Sequence, residues 1–326
     1  MRVGSTGRWS LRPALLALLA TTVLLSACAT APQKPVDPAA TLALPGGEFR
    51  FAHTRKDAQA ADMVRRAVEH AGPRLARWGT FQEPVTLIIH PNHAALERAA
   101  HRPGYDFLRA WARYEQVEVQ SPRTWTRAGA TQKQVDELLL HELTHSLMWQ
   151  ASASVSDWTK KGIPLWFSEG MASYTAGQGY RVPSLEDLSR FLHQYPQADP
   201  LARAESLYET ENATVYGAAH HAFTFLMERY GEARVRGVLA AMRRGQDFTG
   251  GFQESIGLPV DAFLRDFRRY VFLRGFKGGR LAPPPAHPRP EGRGIPRNPP
   301  LPAPPAPHSP TSTPPDTTPE APSPTS

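Results

Sequence analysis

The sequence predicts an α+β protein, in which a small mixed β-sheet subdomain packs on a predominantly helical one and a disordered, proline-rich tail follows. Three observations lead there. From about Gly46 to Trp125, short runs with period-two or β-branched patterning alternate with apolar residues at helical spacing. From Thr131 to about Lys277 the segments repeat at helical spacing instead. Beyond Gly278 lie more than half of the chain's 33 prolines with few apolar side chains between them, which leaves nothing to bury and favours extended polyproline II. Without its two ends the 326-residue chain keeps a body of about 235 residues, enough for one large domain or two small ones closely packed. No internal repeat is visible.

Residues 1–27 hold Arg2, Arg8 and Arg12, then the apolar run "ALLALLATTVLL", then "LSA" before Cys28, the layout of an export signal. The run is short against the roughly 20 residues that span a bilayer, which argues against an uncleaved membrane helix. "LSAC" resembles a bacterial lipobox, and Cys28 is the only cysteine, so it can make no internal disulfide. The resemblance implies lipidation at Cys28 and a tether to the cell envelope, each buried acyl methylene contributing about 0.8 kcal/mol. Ala29 after it implies the outer membrane. Residues 28–44 then read as a linker.

Residues 45–130 form the α/β part. "EFRFAHT" alternates as a strand, "AADMVRRAVEHAGPRLARW" is helical, and "PVTLIIHP" is a β-branched strand ended by proline. "AALERAAH" is helical and "YEQVEVQSP" alternates again. Residues 131–277 form the helical part. "TQKQVDELLLHELTHSLMWQ" opens on a threonine cap signal and carries a wide apolar face. "IPLWFSEGMASYTAG" has proline near its start and glycine at its end, the positions each favours at helix termini. Four further amphipathic helices follow in "SLEDLSRFLHQY", "ATVYGAAHHAFTFLMERYG", "EARVRGVLAAMRRG" and "PVDAFLRDFRRYVFLRGF". Residues 278–326 are the tail, read as a solvated spacer.

The net charge of +7 and pI near 9.7 come mainly from arginine, and the basic residues are scattered rather than blocked. That excludes nucleic acid as the expected partner, though anionic lipid head groups or cell-wall polymers can attract such a surface.

The chemistry is concentrated in "LLLHELTHSLMWQ". On a helix, residues four apart share a face, so His141 and His145 can aim their imidazoles at one point, and zinc takes nitrogen ligands at about 2.0–2.1 Å. Glu142 stands beside them, able to reach a water without being a ligand, the H-E-x-x-H arrangement of zinc hydrolases. Alone, the pattern is equally an ordinary core helix. A third ligand separates the two, and Glu169 offers one from the next helix, in the largely uncharged segment "LWFSEGMASY". There Gly170 and Ala172 are small enough to let the two helices approach, with Trp166, Phe167 and Met171 to pack them. His90, His93 and His101 sit near strand and loop signals, have no helix-spaced partner and read as structural or surface residues.

"HELTH" followed by "LWFSEGMASY" resembles the gluzincin metallopeptidases, the second segment being similar to the "WLNEGFA-x-Y" signature of aminopeptidase N-like enzymes and the whole most similar to the peptidase MA-like group. The resemblance covers roughly residues 130–275. It implies one zinc ion held by His141, His145 and Glu169, with Glu142 as general base. It also implies a tyrosine or histidine from a later helix as oxyanion donor, for which Tyr216 is the first candidate and His220 and His221 the others. The gap from His145 to Glu169 is longer than in aminopeptidase N-like enzymes, which predicts a longer loop bordering the cleft. No "G-x-M-E-N" segment precedes His141, so aminopeptidase activity is not implied. The expected protein is a lipid-anchored zinc metallopeptidase acting on peptides or proteins of the bacterial envelope. The alternatives are a non-catalytic envelope binding or assembly protein on the same scaffold, and a helical domain whose histidines merely pack.

Overall fold

In "GEFRFA" and "VTLIIH" every second side chain is large and apolar, and these two segments become the paired, half-buried centre of a sheet. A computed structural model describes residues 40–275. The signal peptide, Cys28, most of the 28–44 linker and the tail beyond Gly278 lie outside the described residues. Five strands pair in the order β1-β2-β3-β5-β4: β1 Ala40–Leu44, β2 Gly47–Ala52, β3 Val85–His90, β4 Ala110–Ala112 and β5 Gln116–Gln120. The β2–β3 and β3–β5 ladders are parallel, and the two outer pairs antiparallel. The sheet is therefore mixed and the fold is α+β.

Alternation sends Phe49, Phe51, Val85, Leu87, Ile89, Val117 and Val119 into the main core. Against that face lie α1 (Ala58–Leu75) and α3 (Gln132–Ser152); the short α2 (His93–Ala100) covers the opposite face through Leu96 and Ala100, which meet Trp111. Each such side chain contributes about 1.5–3 kcal/mol when fully buried. Beyond α3 come α4 (Leu165–Ala176), α5 (Leu185–Gln194), α6 (Ala204–Arg243), α7 (Phe248–Ile256) and α8 (Val260–Gly275). Gly231, at φ 77° and ψ 167°, breaks α6 where "MERYG" and "EARV" predict two helices. Among the described residues no helix is long and apolar enough to cross a membrane.

Three elements differ from the expectation. The last five residues of the predicted linker form β1, whose Leu42 and Leu44 pack on the core. The edge strand β4 has only three residues, too few to show a period. The helix α7 contains Gly250 and Gly251, and a Cβ on Gly251 would lie 3.1 Å from the Val238 carbonyl, so glycine there permits close packing on α6.

Candidate metal centre

Helix α3 is the axis of the site. Thr131 caps it, accepting from the Gln134 amide while the Gln134 side chain accepts from Thr131 N–H. From Leu139 to Gln150 every residue is buried, polar ones included, so the helix shows little amphipathicity. Its buried hydroxyl and amide side chains are paired. The Thr144 hydroxyl donates to Leu140 O, Ser146 to Arg113 O, and the Gln150 amide donates to Tyr114 O while accepting from the Gln82 and Glu83 amides. Arg243 donates to the Gln150 and Ala153 carbonyls, satisfying the end of the helix. A rod fixed on all sides holds its side chains still.

His141 and His145 leave one face of this rod with their Nε2 atoms 3.2 Å apart. Glu169 on α4 meets them, its Oε2 3.4 Å from His141 Nε2 and its Oε1 3.5 Å from His145 Nε2. Three ligands at 2.0–2.1 Å around a tetrahedral ion stand about 3.3 Å apart, and the observed triangle matches that spacing. All three side chains are buried. Among the described residues five buried side-chain polar atoms have no hydrogen-bond partner, and four belong here: both Glu169 oxygens, His145 Nδ1 and Glu142 Oε1. A buried carboxylate left uncompensated costs several kcal/mol. The donor set therefore fits a dication, and two imidazoles with one carboxylate suit zinc.

The electrostatics agree. Burial alone would raise the Glu169 carboxyl, yet the imidazoles of His145 and His141 beside it outweigh that and hold the group at about 2. Glu142 behaves oppositely. Burial pushes it up to about 7, with the Glu169 charge adding to the rise, while His141 and a hydrogen bond from the Ala112 amide on β4 oppose it. Two carboxylates on neighbouring helices thus diverge in basicity, one held as an anion and one poised to exchange a proton near neutrality.

Gln178, which follows α4, accepts at Oε1 from His141 Nδ1 at 3.0 Å. That fixes the tautomer and turns the Nε2 lone pair to the trio, the role of an outer-shell partner. No sequence pattern marks Gln178, since it acts 37 residues from its histidine. His145 is oriented by stacking, its ring 5.6 Å from Trp149, which meets Trp158 at 4.8 Å. Trp158 belongs to the connection between α3 and α4, so that connection packs on the residue that orients His145.

No protein-family model matches the chain, and no curated protein does. Among the solved structures similar to it are a two-domain M1 zinc metallopeptidase bound to L-arginine and an M1 zinc metallopeptidase from Deinococcus radiodurans bound to a Tyr-Ser-Ala substrate. Identities are 16% and 15% and TM-scores 0.36 and 0.33, over 76% and 77% of this chain. The chain spans about half the length of those structures, 52% and 53%. Likeness at this level carries no weight for the site, which stands on its own atoms.

Gly170 permits a different approach from the expected one. A Cβ there would lie 2.5 Å from the Ala219 carbonyl and 2.6 Å from Phe223 Cβ, so the glycine seats α4 on α6 rather than on α3. The reason is angular: Glu169 faces α3, and the next residue points about 100° away. Tyr216 is buried on α6, one turn before Ala219. His220 Nδ1 faces the Ser173 hydroxyl at 3.1 Å, and the Pro183 carbonyl accepts from His221 Nε2 at 2.7 Å. His90 pairs with Glu118 at 2.5 Å, and His101 ends α2 in the left-handed region. A cavity of about 490 Å³ lined by His70, Arg74, Asp136, Glu137 and Tyr180 opens between α1 and α3, but none of the trio lines it.

Proposed function

We propose that the chain is a zinc-dependent metallopeptidase. The observation that carries the reading is the Nε2–Nε2–carboxylate triangle of His141, His145 and Glu169 with the unpartnered Glu142 Oε1 beside it. When bound, zinc supplies a Lewis acid for the scissile carbonyl and lowers the pKa of an adjacent water. Glu142 Oε1 takes the proton of the attacking water and returns it to the departing amine. Gln178 keeps His141 in one tautomer, and the Tyr216 hydroxyl is the proposed donor to the oxyanion.

Peptide as the substrate class is supported by the resemblance of "HELTH" and "LWFSEGMASY" to gluzincins and by the edge position of β4. Arg109 and Arg113 pair with β5, so the backbone groups of Ala110 and Ala112 point off the sheet; the Ala112 amide meets Glu142, and the Ala110 groups and the Ala112 carbonyl lie where an extended chain can pair. Export and a lipid tether at Cys28 complete the proposal and make envelope proteins or imported peptides the substrates.

The second reading is a binding or assembly protein on this scaffold. It is favoured by the closure of the site, since Glu142 and Glu169 are each 1% exposed. Replacing Glu142 with Gln separates the two. The peptidase reading expects zinc content retained and hydrolysis of a peptide library reduced 10²- to 10⁴-fold, the range of general-base catalysis. Unchanged turnover removes Glu142 from the chemistry, and no turnover in the zinc-loaded parent favours the second reading. Tyr216→Phe is expected to lower turnover without lowering zinc content.

A further inference from the structure

The fifth buried atom without a hydrogen-bond partner is His93 Nε2, on the far face of the sheet from the trio. Its surroundings repeat the logic of His141. Gln120 Nε2 donates to both Thr124 O and Thr124 Oγ1, each at 3.0 Å, which turns the amide oxygen toward His93 Nδ1 at 3.3 Å. Nδ1 is then the N–H donor, and Nε2 is left with a lone pair. That lone pair lies 3.4 Å from Glu97 Oε1, one helical turn on. Two acceptors facing each other, on side chains 25% and 20% exposed, attract a cation between them. Either a proton or a metal ion can supply it.

A third donor distinguishes the two. The left-handed residue His101 ends α2 and turns the chain back, so that the Gly104 and Tyr105 amides donate to Glu97 Oε1 at 2.8 and 3.0 Å. The same turn brings Asp106 to the pair, and one ligand atom from each of His93, Glu97 and Asp106 lies within 4.8 Å of the others. One proton satisfies an imidazole and a single carboxylate, whereas a second carboxylate drawn to the same point calls for a dication. Outer-shell bonds orient both inner donors, as metal sites require: Gln120 for the imidazole, two amides for the carboxylate. Asp106 is exposed and lies near the Arg109 guanidinium, from which its side chain can turn to close on an ion.

We propose that His93, Glu97 and Asp106 form a second divalent-cation site, of one imidazole and two carboxylates, that takes a zinc- or manganese-type ion. The nitrogen donor disfavours magnesium and calcium, which prefer oxygen. The ion ties the 101–106 turn to α2, and that turn leads directly into β4, whose Ala112 amide supports Glu142. Its role is to brace the strand beside the candidate catalytic centre.

Zinc titration of the metal-free full chain against a chromophoric chelator tests this. The parent is expected to bind two equivalents, His93→Gln one, and a His141→Gln, His145→Gln variant one. Asp106→Asn, at an exposed position where folding is not at stake, is expected to weaken the second equivalent at least 10-fold and leave the first unchanged. A parent and a His93→Gln variant with equal zinc stoichiometry would overturn the proposal. So would a parent that binds one equivalent, lost on replacing His141 and His145, with His93 an imidazolium by NMR. Failure of the catalytic reading looks different: the variant lacking both histidines would then keep the parent's stoichiometry.

Discussion

Replacing Gly170 with alanine tests whether the α4–α6 contact sets the position of Glu169, the candidate metal ligand beside it. An added Cβ would lie 2.5 Å from the Ala219 carbonyl oxygen and 2.6 Å from Phe223 Cβ. Neither atom can rotate away, since one is helix backbone and the other is fixed to it. To reach ordinary contact near 3.4 Å, α4 must retreat by about 0.9 Å. Overpacking at a fully packed site costs about 1–3 kcal/mol, and two rigid partners place this case at the upper end. Alanine recovers about 1 kcal/mol through its helix propensity, so the net loss is about 2 kcal/mol. For a body of this size that is a drop of about 4–8 °C in Tm, read by calorimetry on metal-free protein. The retreat also carries Glu169 from the histidines, so zinc affinity falls in a chelator competition. A Gly170→Ala variant with parental Tm and parental zinc affinity would refute the reasoning, because the clash would have been absorbed without moving α4.

Gln178→Ala removes the acceptor for His141 Nδ1 and is expected to weaken zinc 10- to 100-fold, the usual cost of losing an outer-shell partner; an unchanged dissociation constant contradicts the orienting role. His220 is held down at about 4 by burial, with the neighbouring His221 adding to the effect. The unfolded chain therefore takes up a proton first, so stability is fully present above about 6.5 and is lost as pH falls toward 4. The loss is on the order of 2–3 kcal/mol. Urea midpoints of the parent and a His220→Asn variant should diverge through that window, and parallel curves would contradict the burial.

The candidate trio is legible in the sequence because its information is local or nearly so. His141 and His145 announce themselves by spacing on one helix, and Glu169 by being the lone charge in an apolar helix that must pack nearby. The partner of Gly170 was not legible. Sequence shows that a helix has a small residue, whereas which neighbour uses it depends on a 100° turn relative to Glu169 and on α6 arriving from fifty residues later. Gln178 was hidden for the same reason, since an amide that orients an imidazole needs only position and carries no pattern. The strand β4 escaped because three residues show no alternation, and β1 because "ATLAL" reads like the alanine- and proline-rich linker before it. His93 reads as having no helix-spaced partner, yet Glu97 stands one turn on and the chain reversal at His101 delivers Asp106.

The most direct test of the central claim is peptide-library hydrolysis by the purified protein before chelation, after metal removal, and after zinc is restored. The account predicts turnover that vanishes with the metal and returns with zinc in the parent, but not in a variant with His141 and His145 replaced by Gln. Turnover that survives metal removal, or that zinc restores equally in that variant, would contradict it.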